Sequence, residues 1–178
     1  MKIFVVFNLL LFSLVGCSNQ NDHLIGNQPP EFELSIMNSG DSLSNPTILE
    51  KTGLSIETEH WNTEKGILTD EEVLSIAMSL REEHVNLQPY EVILDRYLIN
   101  FDFSKAEDKP NYFFAFITSD EEEALYWEGE IPDEGAFTFS PPYTGVGIVK
   151  VKIIFQWQQT ESVVLGQQTV RFDLNVSN

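Results

Sequence analysis

The chain has 178 residues, enough for one ordinary domain, and carries 28 acidic against 10 basic side chains, a formal net charge of -18 at pH 7. So acidic a surface repels phosphate backbones and anionic lipid headgroups, which excludes nucleic acid as a partner. The one cysteine has no second cysteine with which to form an internal disulfide, so a hydrophobic core has to stabilise the domain. The acidity itself indicates either plain solubility or a surface that recruits cations or basic partners.

The first residues have the layout of a secretory signal peptide. A positive charge at Lys2 is followed by the largely apolar run 3–15 and by the small residue Gly16. The apolar run is shorter than the roughly 20 residues that a membrane-spanning helix needs. We therefore predict that residues 1–16 are a cleaved signal and not a permanent transmembrane helix.

Cys17 directly follows this run. The order Leu14-Val15-Gly16-Cys17 resembles the lipobox of bacterial lipoproteins. This resemblance implies that Cys17 receives a diacylglyceryl group and becomes the N-terminus after cleavage. Each buried methylene contributes about 0.8 kcal/mol, so two or three acyl chains on Cys17 would be a stable anchor. The expected location is a bacterial membrane, lipid-anchored, on the extracytoplasmic face.

A polar segment separates this cysteine from the rest of the chain. Residues 18–30 contain Gly26 and end in Pro29-Pro30, a composition typical of a linker. A flexible segment of this length reaches on the order of 20 Å. We predict that residues 17–30 are the lipidated cysteine and its tether, and that residues 31–178 are a single β-rich globular domain.

Most of that domain has the pattern of strands. Residues 31–37 alternate apolar and polar side chains, and residues 53–61 form a second alternating segment that is a candidate partner for them. Residues 112–117 are almost continuously apolar, which predicts burial on both faces. Further strands are predicted over residues 90–103, 125–131, 136–140, 147–157 and 169–176, with a loop at 38–46 and a turn at 132–135.

One segment has helical periodicity instead. Thr69 and Glu72 are spaced as a capping box, and Leu68 and Val73 are spaced as a hydrophobic staple. Acidic residues in the first turn suit the positive end of the helix dipole. Together with apolar residues at helical spacing, these signals predict an amphipathic helix over residues 70–83.

Short strands at regular spacing, with turn residues between them, favour a sandwich or a barrel. Residues 141–145, followed by a long strand and a regular final strand, resemble the closing part of an immunoglobulin-like sandwich, with Tyr143 as a corner tyrosine that no cysteine follows. The predicted fold is mainly β: an immunoglobulin-like antiparallel β-sandwich with one amphipathic helix. The alternative is an α+β roll with the helix packed on an antiparallel sheet. A lipocalin-like barrel is disfavoured because its early Gly-x-Trp motif is absent.

The densest group of candidate ligands is the acidic segment 120–134. Clustered carboxylate oxygens are what calcium binds, although the spacing matches no EF-hand and runs of acidic residues usually project into solvent. Pairs of carboxylates could also serve as acid and base in glycoside cleavage, but the sequence does not give their separation. The speculative metal ligands are Asp120, Glu121, Glu122, Glu123, Glu128, Glu130, Asp133 and Glu134. We expect no cofactor, with calcium as the one alternative that these carboxylates suggest.

Two tryptophans, Trp127 and Trp157, are candidates for stacking on a sugar or gripping a peptide. Tryptophans of small sandwiches more often lie in the core, and strand alternation predicts that only one of Tyr126 and Trp127 faces inward. The histidines lack the close spacing of a metal site: His23, His60 and His84.

The sequence contains no nucleophile elbow, phosphate-binding loop or dinucleotide fingerprint. Together with the extracytoplasmic address, this favours a non-enzymatic binding or interaction module of the bacterial envelope, anchored to the membrane through Cys17, with a protein or envelope component as partner. The alternatives are a calcium- or ligand-binding lipoprotein that uses the segment 120–134, and a small-molecule carrier with a hydrophobic cavity.

Overall fold

The computed structural model describes residues 25–38, 47–48, 53–83, 87–93, 97–119, 124–141 and 145–178. Several predicted features lie outside these ranges: the signal peptide, Cys17, His23, His84, the acidic residues 120–123 and Tyr143. Within the described ranges the fold is mainly β, with ten strands and one helix.

The strands form two sheets. The smaller has the order β2-β1-β5-β8, and the larger has the order β3-β10-β9-β6-β7, with β4 pairing in parallel with the last residues of β10. The other pairs are antiparallel. The strands are β1 (Glu33–Asn38), β2 (Thr47–Ile48), β3 (Ser55–Lys65), β4 (Tyr90–Ile93), β5 (Tyr97–Asp102), β6 (Tyr112–Ser119), β7 (Leu125–Glu130), β8 (Ala136–Phe139), β9 (Gly147–Thr160) and β10 (Val163–Ser177), and the helix α1 is Asp70–Leu80.

The predicted pairing of residues 31–37 with residues 53–61 is wrong. β1 pairs with β2 and β5, whereas β3 pairs with β10 in the other sheet. The reason is burial: Leu34 and Ile36 of β1 lie in the core, whereas most side chains of β3 are exposed, as suits an edge strand. The predicted segment 90–103 is two strands, and these belong to different sheets.

The main core lies between the two sheets, which pack face to face as separate layers and do not close into a barrel. Phe101 of β5 meets Phe155 of β9 edge to face, with ring centroids 5.0 Å apart. The interior is rich in such rings: Phe103, Phe113, Phe137 and Trp157 also contribute.

The helix packs on the outer face of the larger sheet. Val73, Ala77 and Leu80 form a second apolar cluster with three sheet residues, Phe114, Phe116 and Ile154. Because one face of β6 meets the helix and the other meets the core, its residues 113–119 are all buried. The prediction of burial over residues 112–117 is thus confirmed except at Tyr112, which is only partly buried. No helix in the described ranges is long and apolar enough to span a membrane.

Both ends of the helix are held by side chains. The predicted capping box is confirmed: the Thr69 hydroxyl accepts from the Glu72 amide, and the Glu72 carboxylate accepts from the Thr69 amide at 2.8 Å. The last turn contains no basic residue, and instead Lys150 of β9 donates to the carbonyl oxygens of Arg81 and Glu83 at 2.9 and 3.1 Å. The sheet therefore binds carbonyl groups of the chain just beyond the last helical turn, near the negative end of the helix dipole.

Candidate functional site

An open cleft of about 430 Å³ lies at the end of the larger sheet where β9 turns into β10. We call this end the hairpin end. Five carboxylates line the cleft, which we call the acidic cleft: Asp70, Glu128, Glu130, Asp133 and Glu161. Its other lining residues are Ile67, Leu68, Asn111, Tyr112, Phe114, Ile131 and Gln158.

The register of β6 and β7 places four of these side chains together. Tyr112 lies directly opposite Glu130, and Phe114 lies directly opposite Glu128. Residues that face each other across antiparallel strands point to the same side of the sheet, so both pairs line the same wall. The segment that leads into α1 contributes Leu68 and Asp70 to the cleft.

Asn111 holds one corner of the cleft in place. Its side chain donates to the carbonyl oxygen of Gln158 and accepts from the amide of Gln158, both at 2.8 Å. Its own carbonyl oxygen accepts from the amide of Ile131 at 2.9 Å. These bonds tie the start of β6 to the end of β9 and to the residue after β7, so this part of the cleft is preformed.

Burial and the nearby carboxylates change the pKa of the Tyr112 hydroxyl. Burial raises the pKa of its hydroxyl above the ordinary value, and the negative charge of Glu128, the hydrogen bond to Glu128 and the charge of Glu130 raise it further. At neutral pH the hydroxyl is therefore protonated and is available as a donor beside Glu128.

A chain of amides reaches the cleft from the edge of the sheet. Gln158 donates to Gln156 at 3.0 Å, Gln156 to Gln167 at 2.9 Å, and Gln167 to the carboxylate of Glu59 at 2.7 Å. An ionised carboxylate can only accept, so Glu59 sets the orientation of all three amides. The oxygen of the Gln158 side chain is consequently the acceptor at the end of the chain opposite Glu59.

The cleft combines negative charge with apolar surface. Phe114 and Ile131 are buried, and the exposed Ile67 and the half-buried Leu68 extend this apolar lining. Lysine and arginine side chains pair an apolar stem with a cationic head, and an aromatic ring such as that of Tyr112 attracts the cation further. The arrangement therefore suits a basic side chain better than an anionic or a purely apolar group.

The structure brings together only part of the predicted acidic site. Glu128, Glu130 and Asp133 line the cleft, whereas Glu134 is exposed and lies outside its lining. Asp120, Glu121, Glu122 and Glu123 are outside the described residues. Among the described residues, no three histidine, aspartate or glutamate side chains are grouped so that they could hold a metal ion.

The two candidate tryptophans lie away from the acidic cleft. Trp157 is buried in the core, and its indole donates to the carbonyl oxygen of Asp108 at 3.1 Å. Trp127 packs edge to face on Phe139, with ring centroids 5.2 Å apart. Tyr126 is 51% exposed, which confirms the prediction that only one of these neighbours faces inward.

Several residues of the cleft carry no sequence pattern that points to a binding site. Asp70 is typical of the first turn of a helix, and Tyr112 of the start of a buried strand. Asn111, Gln158 and Glu161 belong to no motif. One signal in the sequence could have located them. If the predicted strands 112–117 and 125–131 are paired as a hairpin, Tyr112 lies beside the acidic residues of β7.

The chain matches no protein-family model and no curated protein sequence.

Proposed function

We propose that this protein is a lipid-anchored, extracytoplasmic protein of a bacterial membrane, whose domain is a non-enzymatic binding module. The anchor rests on the order of charge, apolar run and Cys17 in the first residues. Binding is favoured over catalysis because the sequence contains none of the catalytic motifs considered above.

The acidic cleft is the observation that carries the binding function. Its five carboxylates surround a partly apolar floor, and the chain as a whole is strongly acidic, so its field attracts cations from a distance. We propose that the ligand is a protein segment with an exposed lysine or arginine. The basic head would meet the carboxylates, and the oxygen of the Gln158 side chain would accept a further hydrogen bond.

We propose that the fold is an immunoglobulin-like sandwich. Support comes from the strand order, since β1-β5-β8 corresponds to strands A, B and E of that fold, and β10-β9-β6-β7 corresponds to G, F, C and C′. The departures are β2, β3, α1 and β4, which lie between β1 and β5 in the chain and have no counterpart in that correspondence.

A zero-length carbodiimide crosslinker tests the proposed function, because it joins a carboxylate directly to a lysine. The full-length protein would be crosslinked in the cells that produce it, purified, and mapped by mass spectrometry. We expect an acylated N-terminal Cys17 and links from Glu128, Glu130 or Asp133 to a lysine of an envelope protein.

Two results would contradict this proposal separately. An unmodified Cys17 would refute the anchor. Crosslinks spread evenly over the acidic surface, and unchanged in a Glu128→Gln/Glu130→Gln variant, would refute the cleft as the binding site.

A further inference from the structure

The chain that precedes β1 is fastened to the domain at Gly26. The indole of Trp61 and the side-chain amide of Asn62 both donate to the carbonyl oxygen of Gly26, and the amide of Gly26 donates to the carboxylate of Asp108 at 2.6 Å. Both main-chain polar groups of this residue are therefore satisfied by the domain. A segment that merely passed through solvent would leave them to water.

Packing reinforces this attachment. The side chain of Ile25 lies over Gly166: a Cβ atom added at residue 166 would come within 2.7 Å of Ile25 and 2.6 Å of the Trp61 ring. Trp61 in turn meets Trp157 edge to face, with ring centroids 4.8 Å apart. Only glycine at position 166 leaves room for this arrangement.

The same segment is held a second time just before β1. Phe32 packs against three core rings, with centroids 5.9, 5.1 and 6.0 Å from those of Phe101, Phe103 and Phe155. We call residues 25–32 the strap. It is attached to both sheets, because Trp61 and Phe155 belong to the larger sheet and Phe101 to the smaller one.

The strap enters the domain at the hairpin end. Trp61 lies opposite Gly166, close to the turn between β9 and β10, and β1 begins at Glu33 opposite the last residue of β5. The acidic cleft is at this end too. β10 is 15 residues long, so its C-terminal end lies about 50 Å away at 3.3 Å per residue.

We propose that the strap orients the anchored domain, so that the hairpin end and its acidic cleft face the membrane and the C-terminal end of β10 points away from it. This inference rests on the proposed acylation of Cys17. With residues 25–30 held by the domain, residues 18–24 alone link it to the anchor, and such a linker reaches about 15 Å rather than about 20 Å. The cleft is then presented to basic segments of proteins that are held at the same membrane.

Energy transfer to the bilayer tests this orientation. Once Cys17 is acylated, an introduced cysteine is the only free thiol in the chain. The lipidated full-length protein would be labelled at Ser162→Cys in the hairpin turn or at Asn178→Cys at the opposite end, and placed in phosphatidylcholine vesicles with an acceptor dye on the headgroups. The efficiency of energy transfer falls steeply with distance, and the two labelled sites lie about 50 Å apart. We therefore expect about twice as much transfer, or more, from the label at residue 162 as from the label at residue 178. Equal transfer, or more from residue 178, would overturn the orientation.

Variants of the strap contacts make the test specific. Trp61→Phe combined with Asp108→Ala removes two of the hydrogen bonds to Gly26. In this variant we expect the labels at residues 162 and 178 to show nearly equal energy transfer to the bilayer. Asp108→Asn keeps an acceptor oxygen and should preserve the difference. Circular dichroism would confirm that each variant is folded.

Two further readouts separate the possible failures. Protein that does not float with the vesicles would refute the anchor, and the orientation with it, whereas flotation with equal transfer would refute the orientation alone. Hydrogen exchange at the Gly26 amide should be slow in the unaltered protein and fast in the Asp108→Ala variant. Fast exchange in both would refute the strap itself.

Discussion

Glu83, which lies just beyond the helix, forms an ion pair with Lys152 of β9, whose side chain is only 5% exposed. The other oxygen of the Glu83 carboxylate lies 3.3 Å from Arg171 of β10. Glu83 therefore sits between two cations on the outer face of the larger sheet and ties the end of α1 to it.

Replacing Glu83 by glutamine leaves the buried ammonium of Lys152 without its counter-charge. Because an unpaired buried charge is costly, we expect Glu83→Gln to lower the free energy of unfolding by about 2 kcal/mol in urea titrations at pH 7. The matched control is Glu82→Gln at the exposed neighbouring position, which should change it by no more than about 0.5 kcal/mol. Equal effects of the two substitutions would show that the ion pair contributes little.

The amide chain predicts a contrast between two substitutions at Glu59. Glu59→Ala removes the acceptor for both Gln167 and Thr169, which are buried, and should lower the free energy of unfolding by about 1–3 kcal/mol. Glu59→Gln keeps an acceptor oxygen and should lower the free energy of unfolding clearly less than Glu59→Ala does. Thermal or urea unfolding of the two variants tests this, and similar losses would mean that side-chain packing, and not hydrogen bonding, is what Glu59 provides.

The acidic cleft predicts local rather than general electrostatic binding. A fluorescein-labelled tetralysine peptide serves as the probe, measured by fluorescence anisotropy. Glu128→Gln/Glu130→Gln should weaken its binding about 10-fold, since each lost charge contact is worth up to about 1 kcal/mol. Binding should also weaken as salt is added.

The control for that experiment is Glu82→Gln/Glu91→Gln, which removes the same amount of charge from two exposed residues outside the lining of the acidic cleft. We expect less than about a 2-fold change, because screening limits the effect of distant charges. If both double variants weakened the binding equally, the peptide would be responding to net charge, and the cleft would not be its site.

His60 predicts a loss of stability in mild acid. Burial lowers the pKa of this histidine below its ordinary 6.5, and the nearby Lys65 lowers it further, while the main chain at Val164 and the charge of Glu59 oppose the shift. The unfolded chain therefore binds the proton more tightly than the folded one, so the free energy of unfolding falls as the pH drops through 6.5 toward the lower folded pKa.

Urea titrations at pH 7.5, 6.5 and 5.5 check this expectation. The dependence on pH should be smaller in His60→Gln than in the unaltered protein. His23→Gln, in the predicted tether, should leave it unchanged. A His60→Gln variant with the full pH dependence would assign the effect to another group.

Patterns confined to one segment predicted the elements well. The capping box at Thr69 marked the first turn of α1, and the apolar run in β6 indicated burial on both faces, because each signal is produced by the immediate surroundings of its own residues. The end of α1 was predicted less well: the helix stops at Leu80 rather than at residue 83. The carbonyl groups of Arg81 and Glu83, just after the helix, are bound by Lys150, which is far away in the sequence.

Strand pairing was the main error, and its cause is physical. An alternating pattern states that one face of a strand is buried, but it does not state which neighbour completes the hydrogen bonds. β1 and β3 both alternate, yet β5 is the partner of the first and β10 of the second. Which strands become neighbours depends on how the two complete sheets pack against each other.

Local residue order was thus sufficient to determine the mainly β class, the position of the helix and the acidity of the surface, since propensity, periodicity and charge are properties of neighbouring residues. Only the tertiary structure decided that Asp70 and Glu161 join Glu128 and Glu130 in one cleft, and that Gly26 is bound by Trp61 and Asp108. These contacts join residues that are tens of positions apart in the chain. Hydrogen-bond register and sheet packing bring them together, and neither produces a recognisable pattern in the sequence around each residue.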